Sequence, residues 1–408
     1  MITLMASKIQ TAIFSFVVTC IGLSLIISPK DSIQAALNGL AIWGNHVFPS
    51  LFPFFVVAEL MIGLGVVNFV GVLLEPFMRP LFRVPGVGGF VFAMGNASGF
   101  PAGAKFTARL HQEKQLTKIE AERLVSFTNS SNPLFMGGAI AVGFFHNASL
   151  AILIMLSHYL GNLFVGLTMR FHGYKKECIT KKTKISHLSF KQAFLEMHKK
   201  RLQDKRTLGK MLGDSVHSSI QTLLMIGGFI ILFSVLNNIF SLIHISDFIA
   251  IIIGSVFTIF SIPIELSEPF FSGLLEITNG AQLISQTDEA SLFFQMLVVS
   301  FILGFNGLSI QAQVASFLAE ARIRFYPYFL ARLLHGIYAV LFTTVLWKPL
   351  NYKYVYTDIA TMTPIQELNI SSFFHEIWTF MNVYGILFTI SILSLFVVTT
   401  IKKAPPIH

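Results

Sequence analysis

Gly95-Asn96-Ala97-Ser98-Gly99-Phe100-Pro101-Ala102-Gly103-Ala104 is the stretch on which the reading of this chain turns. It closes an apolar segment that starts at Val87, yet three glycines and a proline in ten residues prevent a continuous helix. Main chain of this kind cannot face lipid, which offers no partner to a free N–H or C=O. At membrane depth it must be packed in protein or line a wet cavity.

The rest of the sequence puts it at membrane depth. Of 408 residues 54% are hydrophobic and only 12% charged, with a mean hydropathy of +0.69. That is too little charge to cover a soluble protein of this length. Apolar runs of about twenty residues recur, the length that crosses a hydrocarbon core. The fold class is therefore all-α, a polytopic membrane protein, and the lipid bilayer is its first partner.

The +9 net charge does not indicate nucleic acid, because it is concentrated in residues 175–210, with twelve Lys/Arg against Glu177, Glu196 and Asp204. A basic loop beside apolar spans is an orientation signal that marks the cytoplasmic side. The two cysteines, Cys20 and Cys178, suggest neither a disulfide framework nor a metal site. The first apolar run, about 11–27, is followed by Ser28-Pro29-Lys30 rather than a small-residue cleavage site, and is read as a retained span.

Two passages share one plan: long span, second span, Gly-rich polar interruption, broken apolar helix, clean span. Residues 38–170 align with 212–347 at a shift of about 174 to 177, so that Ser98-Gly99 falls on Ser272-Gly273, Asn129-Ser130 on Asn306-Gly307 and His158 on His335. The organisation this predicts is an N-terminal transmembrane helix (1–33), repeat 1 (34–172), the basic cytoplasmic loop (173–213), repeat 2 (214–347), a non-cytoplasmic loop (348–378), and a C-terminal helix and tail (379–408). Charge bias makes the repeats antiparallel, each with a re-entrant hairpin and a broken helix. Paired interrupted segments of this kind mark secondary transporters.

Four interruptions are candidate solute-lining segments. In the first, Ser98, Gly99 and Gly103 would form a hairpin tip whose helix N-termini suit an anion. Lys105 and Arg109 follow one turn apart, either as solute contacts or as snorkelling cations. The second is Asn129-Ser130-Ser131-Asn132-Pro133, five polar or breaking residues inside an apolar run. The third carries Glu276, Thr278 and Asn279; Glu276 is an intramembrane acid that could bind a coupling cation (Na+ or H+), carry a proton, or pair with Lys105 or Arg332. The fourth sets Asn306, Ser309 and Gln313 on one helical stripe, with Gln311 pointing elsewhere. His158 and His335 are read as packing residues. No cofactor, metal site or enzyme is indicated, since HExxH, GxSxG, P-loop and CxxC patterns are absent from the sequence.

Arg79-Pro80-Leu81-Phe82-Arg83-Val84-Pro85-Gly86 and Ser98-Gly99-Phe100-Pro101-Ala102-Gly103-Ala104-Lys105 resemble the sporulation integral membrane protein family, YlbJ or SpoVV, of the nucleoside-recognition "Gate" group. The segments 273–280 and 307–313 fit the same group, and the likeness runs from about residue 10 to 400. The resemblance implies an outer forespore membrane protein that passes dipicolinic acid from the mother cell, needed for spore core and cortex maturation. The wider group is similar in plan to concentrative nucleoside transporters. Three functions follow: a transporter of a small anion such as dipicolinate, a nucleoside or nucleobase transporter, and a non-transporting scaffold of spore assembly. A homo-oligomer is compatible with each. Phe100 or Phe305 would be available to stack on a ring, although in a chain with 42 phenylalanines packing is the expectation for each.

Overall fold

The computed structural model describes residues 2–174 and 190–355, and every element in it is helical. Met1–Tyr352 form one unit. The expectations for Cys178, for most of the 348–378 loop and for the 379–408 helix lie outside the described residues.

Helix α1 (Ile2–Ile27) leads into α2 (Pro29–Ile42), which widens into a π-turn before α3 (Phe48–Gly63). Gly65, at φ +80°, then turns the chain, and α4 (Val66–Phe82) leaves α3 at 83°. A helical hairpin follows, α5 (Val87–Ser98) and α6 (Ala102–Gln112), then α7 (Lys118–Thr128), a π-helix (Leu134–Phe144) and α8 (Leu150–Met169). α9 (Phe190–Gln203) lies within the basic segment. The second passage is α10 (Leu208–Leu242), α11 (Ile245–Ile259), the hairpin α12 (Ser267–Leu275) and α13 (Ile277–Ser285), the broken pair α14 (Leu292–Phe305) and α15 (Gly307–Glu320), and α16 (Phe325–Val355).

Among the described residues four helical stretches are long and apolar enough to cross a bilayer: 150–169, 208–242, 292–320 and 325–350, with the bent pair α3–α4 a further candidate. Their outer faces carry bare hydrocarbon. Leu224 and Leu232 of α10 and Leu341 and Val345 of α16 are 46–68% exposed, an arrangement water would oppose and lipid accepts. α16 continues through Lys348 and Pro349 to Val355 instead of ending at 347. The polar segment after Lys105 is helical as well, because a Thr117–Glu120 capping box starts α7.

The hairpin arms are 9–12 residues, roughly 14–18 Å, too short to cross a core of about 30 Å. The first hairpin packs closely on α7, where a Cβ on Gly103 would overlap the Thr128 carbonyl, and the second is closed on itself, where one on Gly280 would overlap Gly273. The buried apolar side chains form two large clusters. Leu124 and Phe127 of α7 lie in one and Met136 and Ile140 of the π-helix in the other; Val299 and Ile302 of α14 lie in the second and Val314 and Leu318 of α15 in the first. Both broken helices therefore pass between the clusters, in opposite chain directions, and break on the way.

Candidate functional site

The two breaks meet. α7 ends at Thr128 and the chain runs extended at Asn129 (φ −92°, ψ 91°), while Asn306 and Gly307 are both left-handed (φ 76° and 57°). Tyr328 on α16 joins them. Its hydroxyl accepts from Asn129 Nδ2 at 2.8 Å and lies 3.0 Å from the Asn306 amide. Oriented so that Nδ2 donates to the Leu303 and Gly304 carbonyls at 2.8 and 3.1 Å, Asn306 accepts the tyrosine proton.

One turn along α16, Arg332 is fully buried. Its guanidinium donates to the carbonyls of Asn129, at 3.0 Å, and of Ser126, and lies 3.4 Å from Asn162 Oδ1. These are carbonyls that the end of α7 leaves without helical donors. Arg332 also lies 3.0 Å from His335 Nδ1, and His335 Nε2 lies 2.8 Å from the His158 carbonyl. His335 thus accepts on Nδ1 and donates from Nε2. The two histidine rings stand 4.5 Å apart. His158 Nε2 accepts from the Ser131 N–H at 3.1 Å, leaving its Nδ1 proton, like the Nε proton of Arg332, without a partner among the described residues. No carboxylate is among the described partners of Arg332.

Most of the predicted residues gather here or on the adjoining hairpins, and are buried. Ser130 donates to Asn96 Oδ1 at 2.6 Å, and Asn132 donates to the Ser98 carbonyl at 2.9 Å beside Gly99. Ser309, Gln311 and Gln313 are each 2% exposed, and Gln311 donates to the Phe305 carbonyl at 3.0 Å. Glu276 pairs with neither Lys105 nor Arg332. It caps α13 instead, accepting from Asn279 N–H at 2.9 Å and the Thr278 hydroxyl at 3.1 Å. Phe100 stands edge-on to His158, centroids 6.3 Å apart.

Lys105 and Arg109 go elsewhere. Lys105 is buried against Glu59 of α3, Nζ to Oε1 3.0 Å, with its ammonium 4.7 Å from the centre of the Phe55 ring. Glu59 also accepts from Ser218 of α10 at 3.2 Å. Arg109 pairs at 2.9 Å with Glu113, which also holds Lys200 at 2.9 Å. Glu59, Arg109, Glu113 and Lys200 line a cavity of about 310 Å³, together with Arg206 and Asp214. Glu59 is the deep end: Ser218 lies ten residues, about 15 Å, along α10 from Leu208.

Residues 46–145 match the family described as nucleoside recognition, Gate. They take in Glu59, Lys105, the first hairpin and the first break. Over 360 residues the chain is 55% identical to the sporulation integral membrane protein YlbJ of Bacillus subtilis (strain 168), covering 86% of this chain and 88% of that protein. The chain belongs to the YlbJ family. No solved structure matches it. What the sequence did not reveal about this YlbJ-family chain is the part played by Glu59 and Arg332. The available signal was a charged residue inside an apolar run, which applies to both.

Proposed function

We propose that this integral membrane protein is a transporter of a small carboxylate anion in sporulation, with dipicolinate as the solute. Movement would run from the mother cell across the outer forespore membrane, toward maturation of spore core and cortex. The observation that carries the reading is Arg332: a fully buried guanidinium, held by neutral groups alone among the described residues, at the meeting of two broken helices. A buried charge without a counter-charge is costly, and an anionic cargo lowers that cost. The start of α15 at Gly307, the flanking Asn and Ser side chains and the short hairpins carry donors of the kind a carboxylate accepts, while the end of α7 presents carbonyls that only the guanidinium can meet. The cavity at Glu59, at the lower end of the size range of ligand clefts, is read as the entry from the cytoplasmic side.

A nucleoside cargo has one observation in its favour besides the Gate match: the Asn129–Tyr328–Asn306 link is neutral and amide-rich. Purified protein in liposomes separates the two. Saturable uptake of labelled dipicolinate, unaffected by excess uridine, is expected; uptake of uridine alone would replace the anion reading with the nucleoside one. In cells, a deletion strain should make spores depleted of dipicolinate. Normal spore content in that strain would remove the proposed cargo.

A further inference from the structure

The cavity is lined by three cations, Arg109, Lys200 and Arg206, and four acids, Glu59, Glu113, Asp204 and Asp214, with Lys105 paired to Glu59 behind the wall. Glu113 is shared by Arg109 and Lys200, at 2.9 Å each, and Arg206 bridges Asp204 at 2.7 Å and Asp214 at 3.0 Å. Lys210 adds an outer contact to Asp214 at 3.1 Å. The remaining pair, Lys105–Glu59, stands at the inner wall, where the packed helix α5 supplies no titratable side chain. An anion that passes the exposed rim residue Lys210 and reaches the inner end has no cation to meet there except Lys105, which is released only if Glu59 gives up its charge.

Glu59 is the acid best placed to do so. Its side chain is 11% exposed, against 14% for Asp204, 19% for Glu113 and 34% for Asp214. It has one cationic partner, whereas Glu113 has two. Displaced from Lys105 while still charged, it would be a buried, uncompensated anion, the costliest outcome for such a pair. We infer that Glu59 is the coupling carboxylate of the transport cycle and that one proton enters with each anion. The solute carboxylate takes the Lys105 ammonium. Glu59 takes one proton from cavity water and becomes a neutral acid. When the solute leaves, Glu59 returns that proton to water and re-forms its pair with Lys105. This assignment rests on the anion-transport reading above.

The deciding experiment is dipicolinate uptake by the full-length protein in liposomes, with the membrane potential clamped at zero and the loading side made one pH unit more acidic. One coupled proton gives about tenfold accumulation per pH unit, the equilibrium ratio for that gradient. The wild type should show it, Glu59→Asp should retain a response to the gradient, and Glu59→Gln should bring the accumulation ratio to one. Glutamine keeps the shape and an acceptor for Lys105 and Ser218, so the variant is expected to insert and fold. Wild-type uptake that is saturable but indifferent to pH would overturn the coupling and leave the transport reading intact. A gradient response surviving in Glu59→Gln, or lost in Glu113→Gln in its place, would overturn the assignment to Glu59. Absence of any wild-type dipicolinate uptake would overturn the transport reading, and this inference with it.

Discussion

Two buried cations in this protein are held by opposite means. At the crossing of the broken helices, Arg332 is surrounded by backbone carbonyls, an amide and an imidazole. Behind the cavity wall, Lys105 faces the carboxylate of Glu59 at 3.0 Å. The difference follows from what each neighbourhood has to spare. Breaking α7 at Thr128 frees carbonyls that carry the negative end of the helix dipole, and a planar fork of N–H donors satisfies several at once. Beside the cavity the group that α3 presents to Lys105 is the Glu59 carboxylate, and a compact ammonium takes that single acid. The first arrangement keeps the cation's net charge; the second cancels it.

The comparison breaks most readily at Arg332. Arg332→Leu should orphan the Ser126 and Asn129 carbonyls, at about 1–3 kcal/mol for each buried group, roughly 4 kcal/mol in all. Thermal unfolding of the purified protein in detergent would register the loss. No single carboxylate deletion elsewhere should restore it, because no carboxylate is its described partner.

The cavity pair should behave differently. Lys105→Met leaves Glu59 charged and buried and should cost about 3 kcal/mol. Adding Glu59→Leu should recover most of that, and a double-mutant cycle measures the coupling directly. Additive losses would mean that the pair is not a unit.

A smaller change sharpens the crossing itself. Tyr328→Phe removes the hydroxyl between Asn129 and Asn306 and should cost about 1 kcal/mol, in the range of one buried hydrogen bond. If the two breaks are held together mainly by that hydroxyl, trypsin sensitivity of the membrane-embedded protein should rise as well.

The smallest effect is expected at a third kind of pairing, near the ends of α7 and α8. Glu122, whose side chain is fully buried, meets Arg324 through two contacts of 2.7 Å and His172 at 2.8 Å. Burial works against its charge, but the Arg324 fork and His172 outweigh it and hold the carboxyl below its ordinary 4.5. Because the folded value is depressed, the clamp stabilises the protein above pH 4.5 and loses its contribution as pH falls through the folded value. Glu122→Gln should flatten the acid limb of a stability-versus-pH curve, and an unchanged limb would show that other groups set it.

Much of this was legible before any coordinates. Gly99, Pro101 and Asn129-Ser130-Ser131-Asn132-Pro133 told where helices stop, because φ freedom, a missing N–H and competing side-chain hydrogen bonds act locally. Lys105 and Glu276 were legible as charges out of place, but their partners were not. The partner of Lys105 is 46 residues upstream on α3, and Glu276 takes its own helix's N–H groups.

The sequence by itself determined the membrane class, the helical content and the points of interruption, since hydropathy and backbone chemistry are properties of short segments. The tertiary structure alone decided that the two interruptions meet at Tyr328 and Arg332, that Lys105 pairs with Glu59, and that Arg109 lines a charged cavity that includes neither Tyr328 nor Arg332. Which orphaned carbonyl, amide or acid a buried cation receives depends on helices about 200 residues apart in the chain packing side by side, as Asn129 and Arg332 do. No local pattern encodes that distance.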